Sequence, residues 1–132
     1  MGMGMSEVVA RGCGLFQWIT MRRDIHALWE GSGLGALVSQ QPSRAVCKNG
    51  SSVKIDCRPV DFQAQIVCWY RQLPNQGLTL IAISNQGSDP TYEQDFPKVK
   101  FPISHPDRTI STLTIMSAHP ADSSLYFCGA SD

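Results

Sequence analysis

From residue 36 onward, apolar and polar side chains alternate in short runs separated by turn residues. The clearest run is 52–58, in which Val53, Ile55 and Cys57 fall on one side of an extended chain and polar residues on the other. A strand with one buried face is typical of an antiparallel sheet. Further strands are predicted over 66–72, 78–83, 98–104, 109–115 and 124–128. Many short strands without a sustained helical period predict an all-β sandwich or barrel.

Residues 1–33 lack this alternation. They begin with a Met- and Gly-rich stretch, and the apolar run 13–21 is interrupted by Gln17. In a secretory signal peptide the basic residues precede the apolar run, whereas Arg22 and Arg23 follow it here. We therefore predict that residues 1–33 are a signal-like or mispredicted segment outside the fold, and that residues 34–132 form one domain.

The charge balance limits the kinds of partner to be expected. Eleven basic residues offset eleven acidic ones among 132 residues, so no strong field attracts nucleic acid or an anionic membrane. No apolar run reaches the roughly 20 residues of a membrane span. We expect no nucleic-acid partner.

The cysteines favour structural chemistry over catalysis or metal binding. Five are present, none in a CxxC pair, and the three histidines are scattered. This pattern favours a structural disulfide and an oxidising compartment over a zinc site. Gly-rich phosphate loops, GxSxG and HExxH are absent from the sequence. We expect no enzymatic activity, no metal, no cofactor and no small-molecule substrate.

One spacing is more specific than the strand pattern. Trp69 follows Cys57 by twelve positions, and Cys128 follows Cys57 by seventy-one. Tyr126 lies two positions before Cys128, and Asp122 lies six before it. This frame resembles that of immunoglobulin variable domains.

The resemblance implies an immunoglobulin V-type Greek-key β-sandwich. It also implies a disulfide between Cys57 and Cys128, with Trp69 packed beside it and the Tyr126 hydroxyl bonded to backbone. Asp122 is expected to pair with Lys100 or Arg71.

More narrowly, the chain is similar to T-cell receptor beta variable segments over about 34–132. The residues that carry this likeness are Trp69-Tyr70-Arg71-Gln72, then Leu78-Thr79-Leu80-Ile81, and the run 117–128, Ser-Ala-His-Pro-Ala-Asp-Ser-Ser-Leu-Tyr-Phe-Cys. Two features depart from the family pattern. No Phe-Gly-x-Gly motif follows Cys128, so the last strand is expected to be missing and Phe127 partly unprotected. Cys47 and Cys68 are not required by the pattern.

The resemblance implies a recognition function. The antigen-binding loops would comprise Asp61, Phe62, Gln63, Ala64 and Gln65, then Ser84, Asn85, Gln86, Gly87, Ser88 and Asp89, and finally Gly129 and Ala130. The implied partners are a T-cell receptor alpha chain, a peptide presented by an MHC molecule and, through the full-length chain, a signalling co-receptor complex. The implied location is the cell surface, reached through the secretory pathway.

Alternation also predicts a chain-pairing face. If Trp69 points inward, its strand neighbours point outward, and the predicted face comprises Tyr70, Gln72, Leu78, Leu80 and Phe127. Asn49 begins an Asn-Gly-Ser sequence that fits N-glycosylation. Two alternatives remain open: a stand-alone immunoglobulin-fold adhesion module and an antibody light-chain-like variable domain.

Overall fold

The computed structural model describes residues 2–11 and 38–132 of the chain. Its ten strands are β1 (Gly2–Arg11), β2 (Val38–Gln41), β3 (Arg44–Lys48), β4 (Val53–Pro59), β5 (Ile66–Gln72), β6 (Thr79–Asn85), β7 (Thr91–Tyr92), β8 (Ile103–Asp107), β9 (Ile110–Ile115) and β10 (Ser124–Ser131). A single 3-10 turn, Pro120–Asp122, precedes β10.

The strands form two sheets. The larger has six strands in the order β3-β1-β10-β5-β6-β7, and the smaller has four in the order β2-β4-β9-β8. Every pairing is antiparallel except that of β1 with β3. The predicted β-sandwich is confirmed.

The core lies between the two sheets and contains the predicted Cys–Trp–Cys frame. Cys57 and Cys128 form a disulfide with a Cα–Cα distance of 6.4 Å, and both are fully buried. Trp69 is also fully buried and donates its indole N–H to Ser111 Oγ at 3.0 Å. The alternation in β4 places Val53, Ile55 and Cys57 in the same core cluster. The disulfide therefore joins the middles of the two sheets.

The corner before β10 is built around Asp122. The Tyr126 hydroxyl donates to the Asp122 carbonyl at 2.8 Å, and burial raises the pKa of this phenol far above its usual range. The Asp122 carboxylate lies 2.7 Å from Lys100 Nζ and 3.6 Å from an Arg71 guanidinium nitrogen, and it accepts the backbone N–H of His119 at 2.9 Å. Asp122 thus pairs with both of the predicted cations.

The strand predicted over 98–104 is shorter in the structure. The backbone N–H groups of Lys100 and Phe101 both donate to the Pro97 carbonyl at 3.0 Å, so this part of the chain forms a turn. Strand β8 begins only at Ile103. The short strands β2, β3 and β7 carry too little alternation to be predicted from the sequence.

The expectation that residues 1–33 lie outside the fold is wrong for Gly2–Arg11. Strand β1 pairs antiparallel with β10, from Gly2 opposite Ala130 to Val8 opposite Ser124, and parallel with β3. The expected gap beside β10 is therefore filled, and the expected unprotected edge at Phe127 is wrong as well. The physical reason is that an unpaired strand edge offers backbone N–H and C=O groups with which an extended segment of suitable side chains can pair. Residues 12–33 lie outside the described part of the chain.

Candidate recognition end and pairing face

Two of the predicted binding loops meet at one end of the sandwich. The first connects β4 to β5, and the second connects β6 to β7. The Gln65 side-chain amide donates to the Gln86 carbonyl at 2.8 Å and also to the Asn85 side chain. The Gln86 backbone N–H donates in return to the Gln65 carbonyl at 2.9 Å. These bonds bring the two loops into one continuous surface.

A third segment, missed in the sequence analysis, joins them. At the β8–β9 hairpin, the Arg108 carbonyl in the turn accepts the Ala64 backbone N–H at 2.9 Å, and the Pro106 carbonyl near the end of β8 accepts the Gln86 side chain at 3.3 Å. The Asp107 carboxylate accepts both the backbone N–H of Thr109, at 2.7 Å, and its hydroxyl. The Pro-Asp pair was the available signal, since both residues favour turns.

The same hydrogen bonds affect the protonation of this turn. Donation from Thr109 holds the pKa of Asp107 below its usual value. Because the folded pKa is depressed, the stabilising contribution is present at neutral pH and is lost as the pH falls through the folded pKa.

His105, in β8, links the β8–β9 hairpin by hydrogen bonds to both predicted loops. Its Nε2 lies 3.1 Å from the Ala64 carbonyl, and its Nδ1 lies 3.0 Å from Ser84 Oγ. A carbonyl oxygen can only accept, so Nε2 donates; in the neutral ring, Nδ1 then accepts from the Ser84 hydroxyl. Ala64 and Ser84 were both expected to contribute to a binding surface, but this is wrong because both are buried against the histidine.

We predict that His105→Ala loosens the recognition end without unfolding the sandwich. Losing two side-chain hydrogen bonds should cost about 1–2 kcal/mol. Backbone amides in residues 60–65 and 107–109 should exchange faster with solvent, while those of β4 and β9 should not, as measured by hydrogen exchange. His119→Ala is the matched control, because His119 is exposed and its ring contacts Asn49 instead of either loop. Equal effects of the two substitutions would contradict the role given to His105.

Gly129 and Ala130 do not begin a loop, contrary to expectation. Both are buried within β10, where they pair with Cys68 and Val67 of β5. Strand β10 continues to Ser131 because β5 and β1 extend the hydrogen-bond ladder on both of its sides.

The predicted pairing face lies on the outer side of the six-stranded sheet. Tyr70 and Leu80 are register partners and half-buried, and Leu78 is 47% exposed. Gln72 is half-buried and donates its side-chain amide to the Gln76 carbonyl at 2.8 Å. These four residues leave apolar and amide groups accessible on one surface.

Phe127 does not form an exposed part of this face. Its exposed fraction is 1%, as is that of Leu125, yet neither belongs to the core cluster between the sheets. Phe127 is register-paired with Met5 on β1 and with Tyr70 on β5, so it has neighbouring side chains on both sides. Its expected exposure was wrong because β10 is an interior strand of the sheet.

Cys68 lies next to Tyr70 on this face and interacts with its hydroxyl. Burial raises the pKa of the Cys68 thiol, and it raises that of Cys47 as well. A raised pKa favours the protonated form of both thiols at neutral pH. Within residues 2–11 and 38–132, no group of three or more His, Cys, Asp or Glu side chains is placed to hold a metal ion. In the same ranges, none of the helical segments has the length and apolar character needed to span a bilayer.

Asn49 lies on the turn after β3. Its side chain is exposed, and its Oδ1 lies 3.1 Å from His119 Nδ1. The exposed amide is accessible, which agrees with N-glycosylation at Asn49. That modification stays a prediction.

Comparison with known proteins agrees with this architecture. The family described as Immunoglobulin V-set domain matches residues 40–132. Human T cell receptor beta variable 20-1 is 61% identical over 103 residues, covering 78% of this chain and 93% of that protein. Human T cell receptor beta variable 29-1 is 53% identical over 98 residues, covering 74% of this chain and 87% of that protein.

Solved structures show the same likeness. One is described as "Structural basis of T cell specificity and activation by the bacterial superantigen toxic shock syndrome toxin-1". A chain in it superposes with a TM-score of 0.70 at 52% identity, covering 74% of this chain and 82% of that one. A chain of a marsupial T cell receptor superposes with a TM-score of 0.65 at 18% identity, covering 72% of this chain and 44% of that one. The second likeness shows the fold alone.

The family match and the two disulfide-joined sheets define the class of the protein, an immunoglobulin variable-type domain. Identity above 50% to two human variable segments, over most of their lengths, narrows the assignment. The chain belongs to the T cell receptor beta variable family.

Proposed function

We propose that this domain recognises a peptide presented by an MHC molecule, as one half of a receptor completed by an alpha chain. The observation that carries the proposal is the joining of three polar segments, 60–65, 86–90 and 106–109, at one end of a rigid sandwich. Rigid strands with loops at one end suit recognition, because the loops can vary without disturbing the core. Exposed side chains in these segments, such as Gln63, Ser88 and Asp89, supply adaptable hydrogen bonds.

The outer face of the six-stranded sheet is the proposed contact for the alpha chain. Leu78 is exposed, and Tyr70 and Leu80 are partly accessible beside it. Apolar groups surrounded by polar ones are typical of protein–protein interfaces. Within a full-length receptor we place this pair of domains at the cell surface, associated with a signalling co-receptor complex. In this role the chain is a binding module and catalyses no reaction.

We predict that Leu78→Glu weakens pairing with an alpha chain by about 30-fold, roughly 2 kcal/mol, because a charge would be buried at the interface. The measurement is co-secretion and affinity of a full-length beta chain that carries this domain. Val99→Glu is the matched control, since Val99 is 84% exposed and lies in the turn before β8, a strand of the other sheet. Equal pairing by the two variants would rule out the proposed face.

A second variant separates pairing from recognition. Gln63 is exposed in the first loop, and Gln63→Arg should leave alpha-chain pairing unchanged while reducing binding of the cognate peptide–MHC complex. The stand-alone adhesion alternative predicts the opposite outcome, in which neither an alpha chain nor a peptide–MHC complex binds and Gln63→Arg has no effect.

A further inference from the structure

Strand β1 is an interior strand of the six-stranded sheet. It lies between β10 and β3, and residues 12–37 separate its end from the start of β2. No covalent bond other than this connection attaches β1 to the described part of the sandwich. At about 3.3 Å per extended residue, a connection of this length could reach roughly 85 Å. By length alone, the connection does not limit β1 to the site on its own chain.

The position of Gly4 is sterically selective. Gln40 reaches across from β2 to β10, where its amide donates to the Tyr126 carbonyl at 2.9 Å and its Oε1 accepts the Cys128 backbone N–H at 3.2 Å. A Cβ atom at Gly4 would lie 2.7 Å from Gln40 Oε1 and 2.8 Å from Gln40 Cβ. Because this glutamine is held at both ends of its amide, a larger side chain opposite Cys128 would displace it.

The remaining inward positions of β1 also make specific contacts. Ser6 is fully buried, and its hydroxyl donates to the Pro42 carbonyl at 2.5 Å. Val8 is 1% exposed and belongs to the core cluster between the sheets. The Glu7 backbone N–H donates to the Ser43 carbonyl at 3.0 Å. The inward face of β1 therefore carries glycine, serine and valine at alternate positions, each in a specific contact. Backbone hydrogen bonds to β10 and β3 supply the rest of the contact.

We propose that the cleft between β3 and β10 is a strand-acceptor site, and that the β1 segment of a second copy of this chain can replace the resident β1. The backbone ladder, the glycine opposite Cys128 and the apolar residue opposite Ser124 are the same whether the strand arrives from its own chain or another. The connection is long enough for β1 to reach the same site on a second copy, as in domain swapping. This inference goes beyond antigen recognition and does not depend on it.

The first test uses the full chain with Gly4→Val. The added side chain should expel β1, and backbone amides of β10 should lose at least tenfold protection from hydrogen exchange. Amides of β4 and β9 should retain their protection because those strands lie in the other sheet. Gly77→Val is the matched control, since within the described residues, chain neighbours aside, nothing lies within 4 Å of a Cβ at Gly77. Unchanged protection of β10 in Gly4→Val would overturn the proposal.

The second test adds a synthetic peptide with the sequence Gly2–Arg11 to the Gly4→Val chain. Excess peptide should restore the protection of β10, whereas the same peptide with valine in place of its second glycine should not. Failure of the glycine peptide, with β4 and β9 still protected, would overturn the proposal.

A third measurement does not require the variant to fold. Labelled peptide should form a one-to-one complex with the wild-type chain by native mass spectrometry, at the expense of the resident strand, and the valine peptide should not. Equal binding of both peptides, or binding of neither, would overturn a selective acceptor site.

Discussion

Replacing Cys57 and Cys128 together by alanine is expected to lower the free energy of unfolding by about 4 kcal/mol. The two cysteines are 71 positions apart, so the disulfide removes a large amount of chain entropy from the unfolded state. Both are fully buried between the sheets, where the lost sulfurs also leave a void beside Trp69. A loss of this size is a large fraction of the stability of a typical domain. Urea unfolding of the secreted domain, followed by Trp fluorescence, measures it.

The matched control replaces Cys47 and Cys68 by alanine, which removes two sulfurs that lie outside this disulfide. Cys47 is half-buried and Cys68 lies outside the core cluster, so the expected loss is smaller, about 1–2 kcal/mol. This control should also remain sensitive to reducing agent, whereas the Cys57/Cys128 variant should not. If the two pairs of substitutions cost the same, the disulfide would not be the element that holds the sheets together.

The parts of the fold that could be predicted are those in which a local pattern reflects the buried core. Strand β4 alternates because one of its faces packs on the opposite sheet, and its three apolar residues could be assigned directly. The Cys57–Trp69–Cys128 frame could be recognised because its spacing resembles that of immunoglobulin variable domains, and the disulfide and the indole do lie in one core cluster. Both signals come from packing that leaves few alternative residues.

The N-terminal strand could not be predicted for the opposite reason. Most of its pairing uses backbone groups, which every residue type carries, and its inward residues include Gly4 and Ser6, which give no apolar alternation. Its partners β10 and β3 lie far along the chain, so no local signal identifies them. Because β1 was not predicted, the burial of Phe127 was not predicted either. Alternation indicates the face of the sheet on which a side chain lies, but not which residues cover it there.

The recognition end was predictable only in part. The turn residues of the first two loops could be identified, but the contribution of 106–109 depends on contacts from Arg108 and His105 across the sheet. Ala64 and Ser84 illustrate the same limit. They lie in the predicted loops by sequence, yet the histidine opposite determines that they are internal. Sequence locates the loops along the chain, while packing decides which of their side chains remain accessible.

Asp122→Asn is expected to lower the free energy of unfolding by about 3 kcal/mol. The Asp122 side chain is 10% exposed, and its carboxylate pairs with both Lys100, at 2.7 Å, and Arg71, at 3.6 Å. The Arg71 guanidinium also lies over the Phe96 ring, 4.9 Å from its centroid, so it is held beside apolar groups. Removing the negative charge leaves two largely buried cations without their counter-charge, which is more costly than never having formed the pair. Denaturant unfolding at neutral pH measures this loss.

Asp56→Asn is the matched control, because Asp56 also pairs with an arginine but in solvent. Its side chain is 36% exposed and that of Arg58 is 53% exposed, at 3.5 Å, so the expected cost is below about 1 kcal/mol. Adding Lys100→Met to Asp122→Asn should recover part of the loss, since it removes one of the stranded charges. If Asp122→Asn cost no more than Asp56→Asn, water would be screening the cations, and the corner before β10 would depend on the Tyr126 hydrogen bond instead.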